Sequence, residues 1–117
     1  MGLTFIEGKV RSETGKESET KFLIDSGATY TLLASEHWKK IELVPKRSME
    51  FILADGSVIK RNISECYIIL TQGEGHTPVI LGEEGDESLL GAVTLEILGL
   101  KLNPFQRTLE PLKMMLA

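Results

Sequence analysis

Short alternations of apolar and polar residues, broken by Gly, Pro, Asp and Asn, run along most of this chain and read as strands joined by turns. Leu3 to Val10 has strand-forming content, Glu13-Thr14-Gly15-Lys16 breaks it, and Glu19 to Ile24 returns, so a hairpin is predicted that ends at Asp25. Leu32 and Leu33 resume a strand as far as Ala34. Ser35 then offers an N-cap for a short helix from Glu36 to Leu43, closed by Pro45, with Trp38 and Ile41 as its buried side. Met49 to Asn62 reads as a second hairpin, because Asp55-Gly56 between apolar runs signals a type I′ turn. A two-residue turn there sets Leu53 against Val58, Ile52 against Ile59 and Glu50 against Arg61.

Ser64 to Thr71 is a further strand, Gln72 to Gly75 its turn and His76 to Leu81 its return. Gly82 to Glu87 is an acidic loop without the ligand spacing of a calcium loop. Leu89 and Leu90 end on Gly91, Ala92 to Leu98 fits one or two helical turns, and Gly99 stands at a C′ position. Leu100 and Leu102 begin a last strand, and Leu109 to Leu116 is a largely apolar tail whose Met114, Met115 and Leu116 would be odd if exposed. The fold class expected is all-β, a single domain over 1–117 with one or two short helices.

Composition narrows the function classes. At 117 residues the chain supports one modest core. A net charge of −4, with Lys39, Lys40, Lys46 and Arg47 scattered, gives no field for phosphates, so no nucleic acid is expected as partner. Cys66 is the only cysteine, which excludes an intrachain disulfide and a cysteine metal cage. His37 and His76 form no cluster, and His37 reads as a solvated helix residue. No metal and no cofactor are expected. The start MGLTFIEGKVRS fits neither a signal peptide nor myristoylation, and no apolar run is long enough to span a membrane. A cytoplasmic location is expected, with no membrane partner.

The stretch Lys21 to Leu33, KFLIDSGATYTLL, carries the candidate chemistry. Phe22, Leu23 and Ile24 stop at an acid, Asp25-Ser26-Gly27 favours a turn, and two hydrophobic segments flank the loop. Asp-Ser-Gly also occurs in ordinary turns, where the Asp accepts backbone N–H bonds. With Ala28 and Thr29 after it and three apolar residues before it, the loop resembles the active-site loop of aspartic proteases, and the chain length resembles their retropepsin-like, retroviral-type branch. The likeness extends through the order of parts: acid loop, short helix, flap-like hairpin 49–62, further hairpin, Leu-Leu-Gly and helix 89–98.

The resemblance implies a β-barrel acid-protease fold acting as a two-fold homodimer on a peptide or protein substrate. Asp25 matches the catalytic acid, Ser26 the hydroxyl that braces the two loops, Gly27 the residue admitting substrate backbone, and Ala28 the small packing position, with Thr29 following. Ala54, Asp55, Gly56 and Ser57 match the flap tip, and Leu89, Leu90 and Gly91 the second signature. Peptide hydrolysis without a metal needs a base and an acid, and two carboxylates sharing a proton supply both. Asp55 and Asp86 lack the Asp-Ser-Gly context, so the second acid is expected to be Asp25 of a symmetry-related chain. Thr29, Ala92 after Gly91 and the flap tip depart from the viral pattern. Two other readings stand beside the enzyme: a catalytically silent module of the same fold that binds peptide or dimerises, and a small β-domain that recruits peptide by strand addition.

Overall fold

The computed structural model describes residues 3–25 and 27–113, so Ser26 and the tail residues Met114, Met115 and Leu116 lie outside the described residues. The strands are β1 (Phe5–Arg11), β2 (Glu17–Ile24), β3 (Thr31–Leu33), β4 (Arg47–Ile52), β5 (Val58–Leu70), β6 (Gly73–Leu81), β7 (Leu89–Leu90), β8 (Leu100–Asn103) and β9 (Thr108–Pro111). Two short helices, α1 (Ser35–Lys40) and α2 (Ala92–Ile97), interrupt them. The chain is mostly β and forms one compact domain, its radius of gyration of 14.1 Å lying close to the ~13 Å typical of this length.

Pairing runs from β1 through β2, β7, β3 and β6 to β5, and β5 returns to β1 through Lys9↔Ile69, Val10↔Ile68 and Arg11↔Tyr67. The sheet therefore closes into a ring, with β4 attached outside it to β5. Val10, Phe22, Leu33, Ile68, Val79 and Leu90 fill the interior and are fully buried. Period two explains the choice: along β2, Phe22 and Ile24 point in while Glu17, Glu19 and Lys21 point out. The inward set begins with Ser18 and Thr20, whose hydroxyls meet His37 Nδ1 at 2.7 Å and Ser88 Oγ at 3.1 Å. His37 is thus half-buried and anchored to β2, not the solvated residue expected from sequence.

Three expected boundaries shift for local reasons. The strand expected from Ser64 is the second half of β5, which runs unbroken because the buried Ser64 hydroxyl donates to the Val44 carbonyl at 2.7 Å. The β5–β6 turn is Thr71-Gln72, since Leu70 already pairs with Gly73. Gly73 and Gly75 are strand residues that leave room for Leu98. Helix α1 is capped at Ala34, not Ser35, and ends at Lys40. Its C-terminus turns through Glu42 at φ 59°, with Leu43 N–H donating to the Trp38 carbonyl.

The β4–β5 hairpin also corrects the expected register by one residue. Ile52 faces Val58, Phe51 faces Ile59, Glu50 faces Lys60 and Met49 faces Arg61. Only Gly56 takes a positive φ, 86°, among the tip residues, and both Gly56 N–H to Leu53 O and Leu53 N–H to Ser57 O close the loop. This is a three-residue loop with glycine in the left-handed position, which needs one positive φ where a type I′ turn needs two. The opposite-charge pair survives as Glu50 and Lys60.

Candidate active site

Asp25 is the first residue past the inward-facing Ile24, and its place is fixed by backbone bonds on both sides. Its N–H donates to the Leu90 carbonyl at 3.2 Å, and its own carbonyl accepts the Ala28 N–H at 3.0 Å. Its carboxylate is exposed, with Oδ1 accepting the Gly27 N–H at 2.9 Å. The flanking segments are hydrophobic as the sequence implies, yet the acid itself faces solvent in the single chain.

The loop is built by strands that are distant in sequence. Leu23↔Leu89 and Ile24↔Leu90 pair in parallel, and Leu32↔Leu89 pairs antiparallel, so β7 lies between β2 and β3. The chain then turns into α2, whose leading N–H groups, on Ala92 and Val93, donate to the Ala28 and Thr29 carbonyls at 2.9 Å each. Helix-start donors that lack a partner within the helix are thereby satisfied by the Asp25 loop. At the crossing Gly91 is pressed against backbone: a Cβ there would lie 2.4 Å from the Tyr30 carbonyl carbon and 2.8 Å from the Thr31 nitrogen. Gly91 has ordinary extended torsions, φ −96° and ψ 171°, so space alone demands glycine.

Asp25, Gly27, Ala28 and Thr29 are thus brought together with Leu89, Leu90 and Gly91. Ala54, Asp55, Gly56 and Ser57 form the exposed hairpin tip, where Asp55 Oδ1 accepts the Ser57 N–H at 2.9 Å and the Ser57 hydroxyl at 2.6 Å. Those bonds, the hydroxyl first, hold the Asp55 carboxyl below its ordinary range. The hairpin reaches the Asp25 region through Phe51, whose ring stands edge-on to Tyr30 with centroids 6.1 Å apart.

Beneath the crossing lie three residues that sequence reasoning missed. Thr31, Thr77 and Thr94 are buried, with Thr94 Oγ1 2.5 Å from Thr31 Oγ1 and 2.7 Å from Thr77 Oγ1. Thr31 Oγ1 also accepts the Gly91 N–H at 3.0 Å. No polar-apolar pattern marks them, because a buried threonine at an inward position reads as a weak outward one.

A cavity of about 690 Å³ lies elsewhere, bordered by Ser64, Cys66, Tyr67 and His76 together with the 12–15 turn and the 42–46 segment. Burial pushes the Cys66 thiol up to about 12, so it is inert as a nucleophile at neutral pH. The chain matches no protein-family model and no curated protein at significant similarity. Among the described residues no helix is long and apolar enough to cross a membrane.

Proposed function

We propose that this chain is a retropepsin-like aspartic endopeptidase in which Asp25 from each of two copies forms the catalytic pair. The observation that carries the reading is the crossing of β7 and α2 over the Asp25 loop, which leaves the Asp25 N–H and carbonyl both bonded and the carboxylate exposed. A single carboxylate can act as base or as acid, not both, so the site is half of a catalytic unit. A second copy related by a two-fold axis completes it, with the closed ring of strands as the barrel of each half. One carboxylate of the pair takes a proton from water, which attacks the peptide carbonyl, and the other protonates the departing nitrogen.

The β4–β5 hairpin serves as the lid. Among the described residues, Val58 to Asn62 of β5 pair only with β4, and a two-stranded ribbon is only marginally stable on its own. Ile52 and Val58, a facing pair near the tip, are 78% and 57% exposed, whereas Phe51 and Ile59 on the opposite face are half-buried. Such an apolar, weakly held ribbon suits a segment that folds down over a bound peptide.

Dilution tests the proposal. Specific activity on a denatured-protein substrate should fall as the concentration passes below the dimer dissociation constant, and the rate should be bell-shaped in pH. Asp25→Asn should abolish cleavage with the dimer intact. An Asp25→Asn protein that cleaves at the wild-type rate overturns the enzyme, and a dimer that binds peptide without cleaving it identifies the silent module instead.

A further inference from the structure

The three buried threonines form a chain of hydrogen bonds in which one direction gives every hydroxyl proton an acceptor. In that direction the Thr77 hydroxyl donates to the Pro78 carbonyl at 3.2 Å and its oxygen accepts from Thr94 at 2.7 Å. Thr94, having given its proton to Thr77, must accept from Thr31. Thr31, having given its own to Thr94, accepts the N–H of Gly91. Each hydroxyl donates once and accepts once.

The chain ends on the peptide group that holds the catalytic loop. The Leu90–Gly91 peptide gives its N–H to Thr31 and uses its carbonyl to accept the Asp25 N–H at 3.2 Å. Bonds at opposite ends of one peptide group polarise each other, so the threonine chain strengthens and aims the carbonyl that fixes Asp25. Thr31, Thr77 and Thr94 are 0%, 2% and 0% exposed, so water cannot replace a missing partner. Breaking one link leaves a hydroxyl proton or an amide unsatisfied inside the domain.

We infer that Thr31, Thr94 and Thr77 are positioning residues: a directed hydroxyl relay from β6 through α2 and β3 that sets the Leu90–Gly91 peptide and, through it, the Asp25 carboxylate. The inference that this affects turnover rests on the proposed protease activity; the inference that it affects the loop does not.

The test pairs two variants of the central link. Thr94→Val keeps the shape and removes the hydroxyl; Thr94→Ser keeps the hydroxyl and removes a methyl. Amide exchange at Gly91 and Asp25, taken as a ratio to the core amide of Ile68 so that global stability cancels, should rise roughly tenfold in Thr94→Val and stay at the wild-type ratio in Thr94→Ser. In cleavage assays kcat should fall about 10-fold or more in Thr94→Val, with KM little changed, because a displacement near 1 Å costs about 10²-fold. Thr94→Ser should retain kcat even if its melting temperature drops. Unchanged exchange ratios in Thr94→Val overturn the relay, as does a Ser variant whose kcat falls with the Val variant. If Thr94→Val does not fold, Thr77→Val removes the acceptor of the Thr94 proton and carries the same expectation. A wild type without cleavage defeats the protease reading alone, and the exchange ratios still decide the relay.

Discussion

Replacing Gly91 with alanine should open the crossing that places Asp25. The new Cβ would stand 2.4 Å from the Tyr30 carbonyl carbon and 2.6 Å from its oxygen, where ordinary contact begins at 3.4 Å, and both are backbone atoms that no rotamer change can move. The two segments must therefore part by about 1 Å, a strain of the kind that costs ~1–3 kcal/mol in a packed core. That separation also stretches the bonds of Asp25 to Leu90, Gly91 to Thr31, Ala92 to Ala28 and Val93 to Thr29 beyond hydrogen-bond range. Each contributes about 0.5–1.5 kcal/mol net, so even with partial relaxation the loss should reach ~3 kcal/mol, or roughly 10 °C in melting temperature for a domain of this size. Gly85→Ala is the comparison: Gly85 has φ +91° and open space around it, so alanine there costs only ~1–2 kcal/mol of backbone strain. Urea denaturation of both variants measures the difference. If Gly91→Ala is the milder of the two, the crossing is not the tight point described.

Three further outcomes are expected. The buried Cys66 thiol is pushed up to about 12 from 9.0, so its contribution to stability is complete below pH 9.0 and is lost as pH rises from there toward 12, at about 1.4 kcal/mol per pH unit; denaturation curves through this range should slope downward in wild type and less so in Cys66→Ala, and equal slopes refute the account. Glu42→Gly should raise the urea midpoint by the equivalent of ~1 kcal/mol, since Glu42 sits at φ 59° and its ion pair with Lys16 is exposed and worth little; a lowered midpoint counts against it. The Asp55 carboxyl is held below its ordinary 3.8 by the Ser57 bonds, so the tip is intact above that value and loosens as pH falls below it; the Ser57 amide resonance should titrate only in that acid range, and a midpoint above 3.8 would contradict the bond.

What the sequence made legible follows from what local patterns encode. The strand ending at Asp25, the Leu89-Leu90-Gly91 stop and the Gly99 helix end are set by neighbouring residues, and all three are in place. The hairpin register slipped because Asp55-Gly56 specifies a glycine-bearing turn without fixing whether one or two residues take a positive φ. Ser64 reads as a strand start and Ser18 falls before the strand expected from Glu19, because their partners, the Val44 carbonyl and His37, lie 20 and 19 residues away. The threonine chain was invisible for the same reason: 60 and 63 residues separate Thr31 from Gly91 and Thr94. Local chemistry marks where the acid sits, while the bonds that aim it are tertiary.

The parallel pairing of β2 with β7 also dictates when Asp25 can be placed during synthesis. Leu23 and Ile24 wait for Leu89 and Leu90, and the loop carbonyls of Ala28 and Thr29 wait for Ala92 and Val93. Contacts of such span must close a long loop before they return any stabilisation, which makes them late events in folding. A growing chain thus carries its acid without the frame that orients it until Leu89 to Val93 have been made. The segment Leu89 to Val93 works as a timer, and if the proposed activity holds, a ribosome-bound chain stalled before Gly91 should show none of it whatever its concentration.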